Sequence, residues 1–362
     1  MTEIVRSYLA KDKDAVFDIM QRNSGKELSD DHKYYFDWLE NLAECNKNKQ
    51  NTSLIVESKG KVAGYLSVIP CNFKIGSQSL DTGFVFDVIS DPNKRGVGIK
   101  LLRKIVYSNY LHFGAPGQRV ETLWAKLAKN ETDNIVVEKL IKVVSIVDPA
   151  LLLIKQGVPT IISVILASAW KLAIRLNLRI ADYNSSKILC LTKESDFPDD
   201  VDELFNQFAK GFYGIALKNK AFLSWRFCES PFNYEKLFLR DSGKLVGYLV
   251  YRRGLINGRK VILIVEAIAV GQQTKYYRLM LNYVYKEALN TGVSDIQTNL
   301  SGCKAFWKIL RNKGAFKKND SCSIISNFPY FKAVDRVDGE INWFFSLADS
   351  DFEFANFKLD IA

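Results

Sequence analysis

The sequence predicts an α/β protein (α+β, with a mixed sheet) built from two similar units in tandem. The chain has 362 residues, more than the roughly 100–200 residues of one ordinary domain. Its composition, 48% hydrophobic and 25% charged, is typical of globular proteins and excludes disordered or fibrous ones. The turn-and-strand segment Gly60–Leu66 returns as Gly243–Leu249, and Phe86–Ile89 returns as Val265–Ile268. Repeats in a constant order at a long offset indicate two copies of one fold.

The spacing of apolar residues predicts the elements of the first unit in turn. Periods near 3.6 predict helices, and alternation or β-branched runs predict strands. We expect helices over 12–22, 29–45, 98–112 and 130–143, and strands over 53–57, 62–70, 80–90 and 119–126. A Gly-rich turn at Asp91–Gly96 separates the third strand from the helix that follows it.

An apolar helical connector is expected between the units, over residues 148–177. Its margins carry Lys155, Lys171 and Arg175, and Trp170 lies near one end. This pattern fits a helix packed between two domains, and it also fits a peripheral membrane contact through residues 158–179. A further helix begins after Pro198, where the pattern of the first unit returns. The predicted boundaries are 1–148, 149–195 (connector), 196–332 and 333–362 (acidic tail).

Cysteine and histidine usage excludes several kinds of chemistry. The six cysteines form no Cys-x-x-Cys pair, and the two histidines lie 80 residues apart. Zinc sites and Ser-His-Asp triads need tighter constellations, so no metal is expected. The first 14 residues are charged and lack the apolar core of a secretory signal. We therefore expect a cytoplasmic protein, peripheral at the inner membrane face if the connector contacts lipid.

The net charge of +10 is concentrated in one part of the chain. Residues 221–332 contain 18 Lys and Arg against 7 Asp and Glu, whereas residues 1–148 contain 21 against 19. A basic surface attracts phosphates, acidic sugars, anionic lipid or nucleic acid. A solvated face without a specific partner is the alternative interpretation.

The segment Asp87–Leu102 carries the most specific motif. A strand is followed by the turn Asp-Pro-Asn-Lys-Arg-Gly-Val-Gly and an amphipathic helix. Gly96 and Gly98 permit close approach of a ligand to the backbone, and the free N–H groups at the helix start favour a phosphate. A Walker A loop is excluded because Gly-Lys-Ser/Thr is missing. A dinucleotide fingerprint is excluded because Leu101 stands where a third glycine is needed.

This segment resembles motif A of the GNAT superfamily of acyl-CoA-dependent N-acyltransferases, which reads Arg/Gln-x-x-Gly-x-Gly/Ala after a strand. Arg95, Gly98 and Ile99 fall on the motif, and Lys100 departs from its last position. The order of elements over residues 1–148 is similar to that of GNAT domains. The second half resembles a degenerate GNAT unit of bacterial tandem proteins, some of them from surface-polysaccharide gene clusters. Its loop, Val270–Arg278, lacks the paired glycines.

The resemblance implies acetyl-CoA, or another acyl-CoA, as co-substrate. It assigns the pantetheine arm to Val88, Ile89 and Ser90, and the pyrophosphate to residues 94–100, which are Lys94, Arg95, Gly96, Val97, Gly98, Ile99 and Lys100. Asp87 is the candidate base, directly or through water, with a strand-end backbone contact as the alternative. Asn130 matches an Asn that often opens the next helix, where it also fits an N-cap. Residues 135–142 contain no Tyr to act as acid toward the thiolate.

In the second half, Trp225, Arg226, Tyr234 and Glu266 are the candidate acceptor-binding residues, with core packing as the alternative for Trp225, Arg226 and Tyr234. We expect an N-acyltransferase that uses a primary amine, such as an amino sugar of a surface polysaccharide. An aminoacyl-tRNA-dependent transferase with a nucleic-acid partner and a non-catalytic CoA-binding protein are the alternatives. The sequence leaves the oligomeric state open.

Overall fold

One mixed β-sheet extends through both halves of the protein and carries helices on its two faces. The computed structural model describes residues 3–25, 27–45, 53–108, 110–115, 118–131, 137–183, 189–327 and 342–349. The strands, in chain order, are β1 (Ile4–Ser7), β2 (Leu54–Ser58), β3 (Lys61–Ile75), β4 (Gln78–Ser90), β5 (Leu111–Gly114), β6 (Val137–Ile146), β7 (Leu189–Glu194), β8 (Gly214–Leu217), β9 (Glu235–Asp241), β10 (Lys244–Ile256), β11 (Arg259–Ala269), β12 (Asp295–Leu300), β13 (Phe316–Asn327) and β14 (Trp343–Phe344).

The helices follow the same order in both halves of the chain. They are α1 (Lys13–Ser24), α2 (Asp30–Cys45), α3 (Val97–Val106), α4 (Gln118–Glu131), α5 (Ala150–Lys155), α6 (Thr160–Tyr183), α7 (Val201–Ala209), α8 (Lys220–Phe227), α9 (Thr274–Thr291) and α10 (Lys304–Asn312). The helix α3 follows β4 and the helix α9 follows β11, the second strand of the long hairpin in each half. They therefore occupy equivalent places.

The arrangement of strands is symmetric about the centre of the sheet. It runs β1-β2-β3-β4-β5-β13-β6-β12-β11-β10-β9-β7, with β8 and β14 attached beside β3. Along this path only β4–β5 and β11–β12 are parallel, at equivalent distances from the centre. The predicted mixed α/β fold is confirmed. The matching halves are consistent with two GNAT-like units, which the repeated sequence segments predict.

The two halves exchange their last strands at the centre of the sheet. The strand β6, from the first half, pairs with β12 and β13, whereas β13, near the end of the chain, pairs with β5 and β6. Each half is thus completed by a strand of the other half. This arrangement places the parallel pairs β4–β5 and β11–β12 on either side of the two exchanged strands, β13 and β6.

Two predicted elements of the first half are wrong. Residues 119–126 lie in the helix α4, not in a strand, and the helix predicted from Asn130 is replaced by β6. Val120, Leu123, Trp124 and Leu127 recur at helical spacing, which outweighs the β-forming tendency of the individual residues. The strand β6 has hydrogen-bonded neighbours on both sides. Its conformation is therefore set by pairing that no local pattern reveals.

The predicted connector contains α5, α6 and also β7, which pairs with β9 at the edge of the sheet. The domain boundaries remain predictions. Of the predicted acidic tail, residues 333–341 and 350–362 lie outside the described part of the chain.

A reciprocal tryptophan pair joins the helices α2 and α8. The indole rings of Trp38 and Trp225 stack with centroids 4.6 Å apart and an interplanar angle of 9°. Each indole N–H donates to the backbone carbonyl of the other tryptophan, and both N···O distances are 2.9 Å. Both side chains are almost fully buried. The pair therefore combines apolar burial with two satisfied polar groups at the junction of the halves.

We expect Trp225→Ala to lower the free energy of unfolding by about 3–5 kcal/mol, the usual range for a buried Trp or Phe. Denaturant unfolding measures the change, and Tyr34→Ala, at an exposed position of α2, is the control. The double variant with Trp38→Ala should lose less than the sum of the single losses, because the residues share one contact. Additive losses would show that the two rings act independently.

Candidate active site

The strands β4 and β5 separate at a one-residue bulge in β4. Leu66 of β3 pairs with Val88, and Val68 pairs with Val85, so that Phe86 and Asp87 both stand opposite Ser67. The parallel pairing of β4 with β5 ends at Val85, which lies opposite Gly114. Among the described residues, the edge of β4 beyond Val85 therefore has no strand beside it on this side. Its backbone groups at Val88–Ser90 are placed to bind an extended ligand.

The helix α3 begins directly after this open edge. Gly96 precedes the helix with a φ of 84°, a left-handed conformation that favours glycine. A side chain at Gly98 would first meet Ser90 Oγ, at 3.9 Å, so the space over the first turn is open. The N–H groups of that turn and the helix dipole attract an anion. The structure thus brings together the loop residues 94–98 and the strand residues 88–90 that the sequence predicts.

The loop between β4 and α3 is held in place by Asp91 and α1. Asp91 is buried, accepts a hydrogen bond from the backbone N–H of Asn93 at 3.0 Å, and forms an ion pair with Arg22 at 3.1 Å. Asn23 donates to the carbonyl oxygen of Ser90 at 2.7 Å. The end of α1 therefore fixes the path of the chain where the strand turns into the helix.

Lys100, at the position that departs from the GNAT motif, is directed toward the amino terminus of the chain. Its ammonium group forms an ion pair with Glu3 at 2.5 Å. The same contact lowers the pKa of Glu3. The side chain of Lys100 is thus engaged by a carboxylate of the same chain.

Asp87 is the titratable group at the bulge. Its burial raises the pKa to about 6. No hydrogen bond or ion pair joins its carboxylate to another described residue. A carboxylate with a raised pKa and no partner is suited to accept a proton near neutral pH.

Asn130 lies in the last turn of α4 and does not open a helix, so the predicted N-cap role is wrong. Its side chain lies outside the described part of the chain. The helix α4 contains no tyrosine, and neither does β6. Which group protonates the leaving thiolate therefore stays open at the level of the sequence prediction for residues 135–142.

The second half repeats the bulge and the separation of strands. Val250 of β10 pairs with Glu266, and Tyr251 pairs with Ile264, which leaves Val265 as the extra residue of β11. The parallel pairing of β11 with β12 ends at Ile264, opposite Thr298. Glu266 thus follows the last parallel pair by two residues, as Asp87 does. The sequence repeat of Phe86–Ile89 and Val265–Ile268 aligns these two carboxylates correctly.

Glu266 is sealed in a buried polar cluster. It contacts Lys218, whose ammonium group also forms an ion pair with Asp349 at 2.8 Å. The hydroxyl of Tyr248 donates to Glu266 at 2.9 Å, and Ser346 donates to it at 3.1 Å. The carboxylates raise the pKa of Lys218 and oppose its desolvation. The carboxylate of Glu266 is thus ion-paired and hydrogen-bonded within the protein.

The segment 342–349 packs against the second half beside this cluster. The carbonyl of Phe345 accepts a hydrogen bond from the backbone N–H of Ser301, which follows β12, at 3.1 Å. Trp343 packs so closely that a side chain at Gly302 or Gly214 would overlap with it. Sequence reasoning missed Lys218, Ser346 and Asp349, because they are remote along the chain and belong to no motif.

The other candidate acceptor residues lie in the interior. Arg226 is fully buried, with its guanidinium 3.1 Å from the hydroxyl of Tyr234 and 3.3 Å from the carbonyl of Ala348. Contact with an acceptor does not fit the burial of Arg226, Tyr234 or Glu266, because protein groups occupy their polar atoms. The burial of Arg226 and Tyr234 agrees with core packing, which is the alternative for these two residues. Trp225 packs on Trp38 and also borders a cavity.

That cavity, of about 640 Å³, lies between the halves. Pro70, Cys71 and Asn72 of β3 line one side, and Asp202 and Glu229 are among the residues of the second half that line the other. Pro70 and Cys71 pair with Gly83 and Thr82, just before the bulge of β4. A larger cavity, of about 1150 Å³, lies against α1 and reaches the loop at Asp91 and Lys94. Asp87 is not among the lining residues of either cavity.

The geometry of the first half agrees with a comparison of sequences. Residues 5–129 match the sequence model described as an acetyltransferase (GNAT) domain. These residues are similar to a GNAT domain. No curated protein matched the chain.

Solved structures of similar fold cover most of the chain. A GCN5-related N-acetyltransferase from Anabaena variabilis superposes with a TM-score of 0.59 at 13% identity, over 90% of this chain and 72% of that one. A protein of unknown function from Enterococcus faecalis, described as a probable N-acyltransferase, gives 0.58 at 13% identity over the same shares. N-myristoyltransferase of Saccharomyces cerevisiae gives 0.50 at 11% identity, over 90% and 78%.

At these identities the structures show the fold alone. The match of residues 5–129 to the acetyltransferase (GNAT) model supports an N-acyltransferase of the GNAT type. The bulge, the separated strands and the glycines before α3 all lie within the matched residues of the GNAT domain.

The raised pKa of Asp87 predicts a pH dependence of stability. The folded protein binds this proton more tightly than the unfolded chain. The contribution of Asp87 is therefore fully present below pH 3.8 and is lost as the pH rises to about 6. Asp87→Asn should abolish this decrease in the free energy of unfolding. Asp81→Asn, at an exposed position of the same strand, should retain it. A decrease of equal size in Asp87→Asn and in the unmodified protein would contradict the assignment.

Proposed function

We propose that the protein transfers an acyl group, most simply acetyl, from acyl-CoA to a primary amine. The observation that carries this proposal is the coincidence, within one GNAT domain, of three features. They are the open edge of β4, the unobstructed first turn of α3, and the unpaired carboxylate of Asp87 at the bulge. The second half has the same bulge and the same separation of strands, but the segment 342–349 packs beside Glu266 there. A single acyl-CoA site is therefore proposed.

The co-substrate is proposed to lie along β4 and across the start of α3. Backbone groups of Val88 to Ser90 would pair with the amides of the pantetheine arm, which supports the ligand as an added strand does. The pyrophosphate would accept hydrogen bonds from the first N–H groups of α3, between Gly96 and Ile99. Lys94 and Arg95 add positive charge beside it.

The reaction is proposed to proceed by direct attack of the amine on the thioester. Asp87 takes a proton from the acceptor ammonium group, directly or through water, and the neutral amine forms a bond to the carbonyl carbon. The carbon–sulfur bond then breaks, and the second amine proton goes to solvent as the amide forms. The thiolate of CoA takes a proton from solvent, since no tyrosine of α4 is present to supply one. Positioning of the two reactants is the main contribution of the protein.

The acceptor is proposed to enter the cavity between the halves. Asp202 and Glu229 in its lining suit a cationic amine, and Asn72, Asn206 and Ser224 supply hydrogen-bonding groups for hydroxyls. This donor set supports an amino sugar, and the resemblance to tandem proteins of surface-polysaccharide gene clusters suggests a polysaccharide precursor. The tandem organisation itself is part of the proposal, with the second unit acting as a wall of the acceptor cavity.

Binding of acetyl-CoA tests the site directly. Gly98→Trp fills the space over α3 and Arg95→Glu reverses a charge beside it, and each should weaken binding at least about tenfold, the loss expected for a charge-assisted contact. Isothermal titration calorimetry measures the affinity. Arg278→Glu, in the first turns of the equivalent helix α9, is the matched control and should bind normally. Absence of binding by the unmodified protein would overturn the proposal.

The pH dependence of turnover tests the role of Asp87. With acetyl-CoA and a panel of amino sugars beginning with glucosamine, kcat/KM should rise with pH through about 6, where Asp87 loses its proton. Asp87→Asn should reduce kcat/KM by roughly 10²–10⁴, the usual contribution of a general base. Release of free CoA thiol measures the rate, with Asp81→Asn as control. Binding of acetyl-CoA without thiol release for any amine would exclude catalysis.

A further inference from the structure

The helix α6 is apolar on a face that the rest of the protein does not cover. One stripe, formed by Ser163, Ala167, Ile174 and Leu178, packs toward the body of the protein at helical spacing. The opposite side exposes large apolar residues, with Ile161 at 76% and Ile165 at 62% exposure. The exposed set is Ile161, Ile162, Val164, Ile165, Leu166, Leu172 and Leu176, joined by Leu151 and Ile154 of α5. Trp170 is also partly exposed but lies on the side of the packed stripe. Contiguous exposed apolar patches of this kind mark interaction surfaces.

This helix is fixed to the protein in the plane of its surface. Residues Thr160–Leu178 are long and apolar enough to cross a bilayer by length and composition, yet only 17% of this segment is buried. The indole N–H of Trp170 donates to the carbonyl of Ile146 at 2.9 Å, and Lys171 forms an ion pair with Asp148 at 2.8 Å. Crossing a membrane would break these contacts and expose the packed stripe. The geometry therefore favours a helix that lies along a surface.

A basic segment of the second half lies directly beside α6. A side chain at Gly314, after α10, would meet the ring of Trp170, and a cavity of about 210 Å³ beside both residues is also lined by Asn177 and Lys313. From residue 304 to residue 318 the sequence has six lysines and arginines and no acidic residue. They are Lys304, Lys308, Arg311, Lys313, Lys317 and Lys318, and all except Lys313 are exposed. Phe316 adds an exposed apolar side chain within this segment.

The juxtaposition identifies the partner by its chemistry. An apolar helical face bordered by cations fits a bilayer surface that offers acyl chains below a layer of negative headgroups. A protein partner would match the apolar face without requiring the adjoining run of cations. We propose that α5, α6 and the segment 304–318 form a docking surface for an anionic lipid bilayer, with α6 lying in the interface and not across it. This inference goes beyond the proposed acyl transfer and does not depend on it.

Vesicle co-sedimentation with the full chain tests the proposal. The protein should pellet with vesicles of phosphatidylcholine and phosphatidylglycerol in a ratio of three to one, and much less with phosphatidylcholine alone. Ile165→Asp combined with Leu172→Asp should reduce partitioning more than about tenfold, because two exposed apolar contacts are lost. Lys308→Glu combined with Lys317→Glu should reduce it by a similar factor, since each cation contributes roughly fivefold near an anionic surface. Added salt should weaken binding.

Matched controls come from the exposed face of α2. Tyr34→Asp introduces a charge at an exposed apolar position, and Lys33→Glu reverses an exposed charge; both should pellet like the unmodified protein. Circular dichroism and acetyl-CoA affinity should be unchanged in all variants, which separates this test from that of the acyl-CoA site.

Three results would overturn the proposal. The first is equal pelleting of the unmodified protein and the α6 variant. The second is a stable dimer without lipid that Ile165→Asp with Leu172→Asp converts to a monomer, because a second copy would then cover the face. The third is resistance of the vesicle-bound protein to extraction at alkaline pH, which would indicate a helix that spans the bilayer.

Discussion

The exchange of β6 and β13 at the centre of the sheet determines the arrangement of the whole molecule. Backbone hydrogen bonds are obligatory for a buried strand, and β5 obtains its second neighbour only from β13. The open edge of β4 exists because β5 is held on its other side and stops at Gly114. The candidate site of the first half is therefore supported by the second half. The tryptophan pair between α2 and α8 stabilises the same junction away from the central strands.

The two halves share one backbone feature, but the carboxylate at that feature has different surroundings in each half. A bulge and a separation of parallel strands place a carboxylate two residues beyond the last pair, at Asp87 and at Glu266. Burial without a partner raises the pKa of Asp87, whereas Lys218 compensates Glu266 within a network that includes Tyr248 and Ser346. Desolvation is common to both sites, and the presence of a counter-ion decides which is suited to chemistry. The two halves thus differ in the charged groups around the carboxylate more than in the arrangement of their strands.

The sequence predicts the fold class, the internal repeat and the loop at the start of α3, because these features depend on local turns and on periodic apolar residues. It misassigns residues 119–126 and the region after Asn130, where pairing with distant strands sets the conformation. It aligns Glu266 with Asp87 correctly, but the cation that pairs with Glu266 lies 48 residues away in a segment without a motif. The burial of Arg226 and Tyr234 likewise follows from contacts across the core, since a Trp-Arg pattern does not specify which side faces solvent.

The long separation of β13 from β5 along the chain has a consequence for biosynthesis. During translation the first half leaves the ribosome with β5 lacking one neighbour, and the missing strand follows about 200 residues later. Until then the edge of β5 is an unpaired template of the kind that recruits other chains. The nascent protein therefore needs either rapid completion of synthesis or transient protection by a chaperone. The sheet of the first half, and with it the candidate site, is completed only after β13 has been synthesised.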